Sequence, residues 1–145
     1  MSKAESAELI MKLYELRREE KMREARSWVV GFCPESIDDI LATMVGPESA
    51  YLRMVISYWD MAATFVNHGA IDEDMFRETS GEHMMVFAKI EPFLDDLRAK
   101  FGNPNFLKNL DALVSRLPNY KEELEARREM IKRMLEASKA QAAQG

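Results

Sequence analysis

Arg53, Ser57, Asp60, Thr64 and Asn67 follow one another at intervals of four, three, four and three residues. That spacing puts a guanidinium, two hydroxyls, a carboxylate and an amide on one face of a helix. His68 comes directly after them, and Glu82 and His83 stand further along the chain. Arg53, Asp60, Thr64 and His68 are therefore the candidate ligand-binding residues, with Glu82 or His83 as further contributors. Arg53 and Asp60 are two helical turns apart and share a face, so together they can hold a small polar ligand inside a bundle. The plainer reading is a salt-bridged helix edge turned to water. Both readings stay open on the sequence alone.

Other chemistry finds little support. Two common zinc signatures, paired cysteines and a His-Glu-x-x-His helix, are missing: the chain has a single cysteine, Cys33, and no such helix. Carboxylate di-metal bundles use Glu and His three residues apart, whereas Glu82 and His83 are adjacent and point to different faces. No Gly-rich phosphate loop is present. The acid pairs Asp38-Asp39 and Asp95-Asp96 fall where solvated helix surfaces are expected, and acid–base work would need burial that shifts a pKa. No catalytic residue, no metal ligand and no cofactor is assigned.

The stripe needs a helix to carry it. Between its members lie Met54, Val55, Ile56, Tyr58, Trp59, Met61, Ala62, Ala63, Phe65 and Val66. A helix apolar over most of its circumference belongs in the centre of a bundle. Gly69 supplies the left-handed residue that ends it. Asp72 is placed to cap the next helix, with Glu73 and Asp74 in its first turn and Ile71 and Phe76 as a hydrophobic staple. His68 and the three acids look like a metal site, and capping accounts for them without one.

The flanking segments are helical too. Residues 4–30 form one long pattern whose charged stretch Arg17 to Glu24 is a solvated face, so this helix projects past the core. Cys33 beside Pro34 reads as a small core residue. Ser36 caps a short helix from Ile37 to Met44, and Gly46-Pro47 opens the central one. Thr79 and Glu82 fit a capping box, and Pro92 bends the helix that follows. Gly102-Asn103-Pro104 separates that helix from Asn105–Leu117, and a last helix starts near Asn119. The tail from Ser138 lacks large apolar anchors and is expected to fray.

Composition sets the class. A chain of 145 residues with 47% hydrophobic content suits one folded domain. Net charge is −5. Residues 31–98 carry four Lys/Arg and thirteen Asp/Glu, net −9, between termini that are mildly basic. A nucleic-acid surface would want a concentrated basic face instead, so no nucleic acid is expected. No stretch is long and apolar enough to span a membrane or to act as a leader, and a cytoplasmic protein is the default.

The run Trp59, Asp60, Ala63, then Gly69-Ala70-Ile71-Asp72, then Phe87, Glu91-Pro92-Phe93 and Arg98 resembles a bacterial helical family catalogued as domain of unknown function 4760. The resemblance spans about residues 25–115. It implies an all-helical fold and supplies no activity and no catalytic residue. Members of that family often carry an N-terminal membrane helix, where this chain has a charged one.

The sequence thus points to a single all-α domain over residues 1–145, a bundle of about six helices around a buried hairpin of roughly 50–68 with 82–101. Its function is left as unknown. The leading expectation is a non-enzymatic interaction or regulatory module with a protein partner, or a homodimer through the flanking helices. The alternative is a binder of a small polar ligand or metal through Arg53, Asp60 and His68.

Overall fold

A computed structural model describes residues 2–144. The described chain runs α1 (Lys3–Arg17), α2 (Glu20–Gly31), α3 (Ile37–Met44), α4 (Ser49–Asn67), α5 (Glu73–Thr79), α6 (Glu82–Ile90), a 3-10 turn (Glu91–Phe93), α7 (Leu94–Phe101), α8 (Lys108–Ser115) and α9 (Tyr120–Gln144). The all-α class stands, and the expected six helices become nine plus the 3-10 turn. Five of them, α3 and α5 to α8, have only seven to nine residues. Isolated helices this short are marginal in water, so packing must hold them.

The packing centres on α4, which lies most extensively against α2 and α8. Leu52, Val55, Trp59, Ala62 and Ala63 are buried against Ala25, Val29, Leu110, Leu113 and Val114 of those neighbours and the rest of one core. Each fully buried aliphatic or aromatic side chain contributes roughly 1.5–3 kcal/mol relative to exposure. The expected pairing of 50–68 with 82–101 is thus only partial. α6 meets α4 around Trp59, and its broad face is covered by α9 instead.

Several local expectations need correcting. The pattern over residues 4–30 is two helices, broken where Glu19 accepts from the Met22 amide and caps α2. The break folds α1 back, so that Leu13 is buried and Arg17 lies over the Trp59 ring. α1 does not project. Thr79 and Glu82 form no capping box: the Thr79 hydroxyl closes the end of α5, and Glu82 is drawn away to Arg26 and Trp59. The helix expected from Asn105 starts at Lys108, after Leu107 in the left-handed region at φ 55. Cys33 is exposed, not in the core. Residues 138–144 continue α9 as exposed helix.

Where the sequence placed a stop and restart, the geometry agrees. Gly69, at φ 78, donates to Val66, and Ala70 donates to Phe65, the two bonds of a Schellman stop. Asp72 then accepts from the Met75 amide, and Ile71 and Phe76 are both buried as the staple requires.

Each helix end leaves up to four backbone donors or acceptors without partners. Here, side chains of neighbouring helices supply many of them. Lys89 of α6 donates to the Val30 and Phe32 carbonyls at the end of α2. Arg77 of α5 donates to Leu113 in α8 at 2.7 Å. Arg128 of α9 donates to the Ala88 carbonyl at 2.8 Å. The last contact has a cause in sequence: Pro92 has no N–H, so the carbonyl four residues earlier loses its helical donor. α9 supplies the replacement. We expect Arg128→Met to lower the unfolding free energy by about 1–2 kcal/mol in urea denaturation. In a Pro92→Ala background, where a main-chain N–H is restored, the loss should shrink. Equal losses in both backgrounds would contradict this origin.

Candidate functional site

The polar stripe of α4 faces a groove of about 690 Å³ opposite the end of α7 and the loop that leads into α8. Arg53, Ser57, Asp60 and Thr64 line it, together with Met44, Met61, Phe65, Phe101 and Phe106. The structure therefore brings three of the four candidate ligand-binding residues to one surface. His68 is not among them. It sits exposed at the C-terminal cap of α4, beyond the groove.

Most of the stripe already has partners. The Asp60 carboxylate accepts from the Leu110 amide at 2.9 Å. Leu110 is the third residue of α8, the position an N-cap side chain normally serves. Leu107 occupies the cap and has no side-chain oxygen, so Asp60, fifty positions before Leu110, does its work. Two turns along, Asn67 donates to the Asn109 carbonyl at 2.9 Å and accepts from Arg116 at 2.7 Å. At the other end, Arg53 donates to Met44 at 3.2 Å, closing α3. Ser57 and Thr64 donate back to carbonyls of α4 itself. The stripe is a seam that joins α3 and α8 to α4, and a groove runs over part of it.

The apolar half of the groove is less spent. Met61, Phe65 and Phe101 keep 39%, 40% and 40% of their surface exposed. Phe101 and Phe106 pack edge to face with centroids 5.2 Å apart. Large apolar side chains left at the surface around a concavity are a feature of contact sites.

The remaining acids are occupied elsewhere. Asp72 is hydrogen-bonded by the Met75 amide and Lys3, which hold its carboxyl below the usual range. Its own amide donates to Ser6 of α1. Partial burial pushes the Glu73 carboxyl up, but hydrogen bonds from Arg116 and Arg77 outweigh it and the net shift is down. No group of three His, Cys, Asp or Glu side chains converges among the described residues. No helix among them is long and apolar enough to cross a membrane.

The family described as a domain of unknown function (DUF4760) matches residues 3–117. The chain belongs to this family. The match is longer than the stretch that carries the resemblance by eye, and it takes in α1 to α8. No curated protein and no solved structure matches the chain at a significant level. The residues of the α4 seam, the groove and the α5 restart fall within the DUF4760 match, whereas α9 lies outside it.

Glu82 and His83, expected as further contributors to the stripe, do not line its groove; they belong to a second polar cluster beneath α1 and α2 whose other members sequence reasoning missed. Glu82 is held by Arg26 at 2.8–3.0 Å and by the Trp59 indole N–H at 2.9 Å. Beside it, His83 is 2% exposed and packs against Trp59 and Phe76, with ring centroids 5.9 and 5.0 Å away. Burial pushes the imidazole down to about 3, and the charges of Arg77 and Arg127 add to the effect. The signal was its position inside the apolar run that follows Gly81, where any polar side chain must be buried.

His83 gives the fold an acid sensitivity of known sign. Unfolded, it takes up a proton below about 6.5; folded, it does so only near 3. Its contribution is intact above 6.5 and is lost as pH falls through that window, by about 1.4 kcal/mol per pH unit. His83→Phe should flatten this slope relative to the parent protein in urea denaturation at pH 7 and pH 5. The paired carboxylates are common to both proteins and cancel. Identical pH dependence would rule out this role.

Proposed function

We propose that the chain is a non-enzymatic interaction module that docks an amphipathic helix of a partner protein in the groove between α4 and the α7–α8 loop. The observation that carries this is the division of labour in the groove. Its hydrogen-bonding groups are largely engaged in holding α3 and α8, while Met61, Phe65 and Phe101 are left available. A methionine and two phenylalanines make an adaptable apolar surface for the i, i+3, i+4 anchors of a helix. The α3 and α4 side of the groove lies within residues 31–98, the span of net charge −9, so basic flanks on the partner helix are favoured.

A second reading is supported by Arg53, Asp60 and Thr64 lining the same groove, where a small polar ligand could reach the hydrogen-bonding capacity the fold leaves over. The two readings differ in what they need: the first in Phe65, the second in Arg53.

A labelled Leu/Lys amphipathic helical peptide, followed by fluorescence anisotropy, is the direct probe. Phe65→Glu should weaken its binding by about tenfold or more, whereas Met134→Glu on α9 should leave it unchanged. Equal binding by both variants, or none by the parent protein, would contradict the proposal. Native mass spectrometry that shows a bound small molecule lost in Arg53→Met would favour the second reading. Sedimentation of the protein alone shows whether a second copy takes the partner's place, as an association through the exposed Leu9 and Leu16 of α1 or Met134 of α9 would require.

A further inference from the structure

Lys89 is a buried cation without a counter-ion among the described residues. Only 7% of it is exposed. Its ammonium donates to the carbonyls of Val30 at 3.2 Å and Phe32 at 2.6 Å and lies 3.8 Å from the Cys33 sulfur. No carboxylate among the described residues faces it closely enough to pair. Burial pushes its pKa down, partly opposed by the neighbouring Cys33. Buried lysines without a paired acid are rare, because carbonyl dipoles repay only part of the cost of removing the charge from water.

Lys89 lines a cavity of about 380 Å³ between the 3-10 turn and α9. Phe93, Ile131 and Leu135 give the cavity an apolar wall. Lys132 and Lys139 join Lys89 in lining it, against Glu35 and Glu136. Arg128 also lines it, with its guanidinium engaged by Ala88 and Glu125. A space of this size holds a small organic ligand, and such sites pair an apolar wall with a few placed charges.

We infer that this cavity binds a small amphipathic anion, with a carboxylate toward Lys89 and an aliphatic or aromatic body against Phe93, Ile131 and Leu135. The anion supplies the charge that the described residues do not. Because α9 forms one wall, occupancy also ties α9 to α6 and couples the ligand to a helix outside the matched family span. The site is separate from the α4 groove, so either can fail without the other.

The test is calorimetric titration of the intact protein with octanoate, using 1-octanol and inorganic phosphate as comparison probes. Octanoate should saturate a single site and bind at least about tenfold more tightly than either probe. Leu135→Trp fills the cavity from a half-buried position on α9 and should abolish octanoate binding with the helical circular dichroism unchanged. Lys89→Met should remove the preference for octanoate over octanol. The inference is overturned if octanoate does not saturate, if octanol binds as tightly, or if folded Leu135→Trp still binds. Should Lys89→Met fail to fold, the Leu135→Trp result decides.

Discussion

A chain cut into short helices has more ends than its own sequence can close, and this protein depends on borrowed caps. Five helices of seven to nine residues leave most of their backbone donors and acceptors near a terminus. An unpaired buried backbone group costs about 1–3 kcal/mol, comparable to the whole gain from burying one large side chain. The solution is side chains reaching across helix pairs. Asp60 closes the start of α8, Arg53 the end of α3, Lys89 the end of α2 and Arg128 the gap left by Pro92. Each such bond also fixes the angle and register of one helix on another, which apolar packing alone leaves adjustable.

This constraint changes the meaning of the polar stripe on α4. Residues that look like ligands are mostly fasteners, and that is why they face a groove yet have little hydrogen-bonding capacity to spare. The apolar rim of the groove is different. Nothing in the fold requires Phe65 or Phe101 to remain two-fifths exposed beside a concavity, and a partner helix gives them a use. Away from the groove, Lys89 spends a buried charge on two carbonyls, and the cavity it lines offers an anion the place a carboxylate would fill.

The sequence made the local events legible and the distant ones invisible. The Schellman stop at Gly69 and the Asp72 cap follow from backbone sterics within a few residues and were readable; at Pro92 a bend was expected, and the structure instead ends α6 and passes through the 3-10 turn into α7. The stripe itself was readable as a periodicity, but its partners were not. Asp60 and Leu110 are fifty residues apart, and no propensity relates them. Thr79 and Glu82 matched a capping box, yet Arg26 and Trp59 competed for the carboxylate and won, because a bidentate ion pair plus an indole bond outweighs one amide. The break at Glu19 was hidden by charges that suit a continuous helix as well as a turn. Lys89 carried a quiet signal, as a lone charge in the apolar run Met84 to Ile90.

The claim that the stripe on α4 is primarily a fastener is tested most directly by amide hydrogen exchange in Asp60→Ala, with Asp60→Asn as the variant that keeps an acceptor. Loss of a cap worth about 1 kcal/mol should reduce protection of the Leu110 amide and the first turn of α8 roughly fivefold in Asp60→Ala. Asp60→Asn should retain most of it, and α2 and α6 should be unaffected in both. Unchanged protection at Leu110 in Asp60→Ala would contradict the account and return Asp60 to the list of groups available for a ligand.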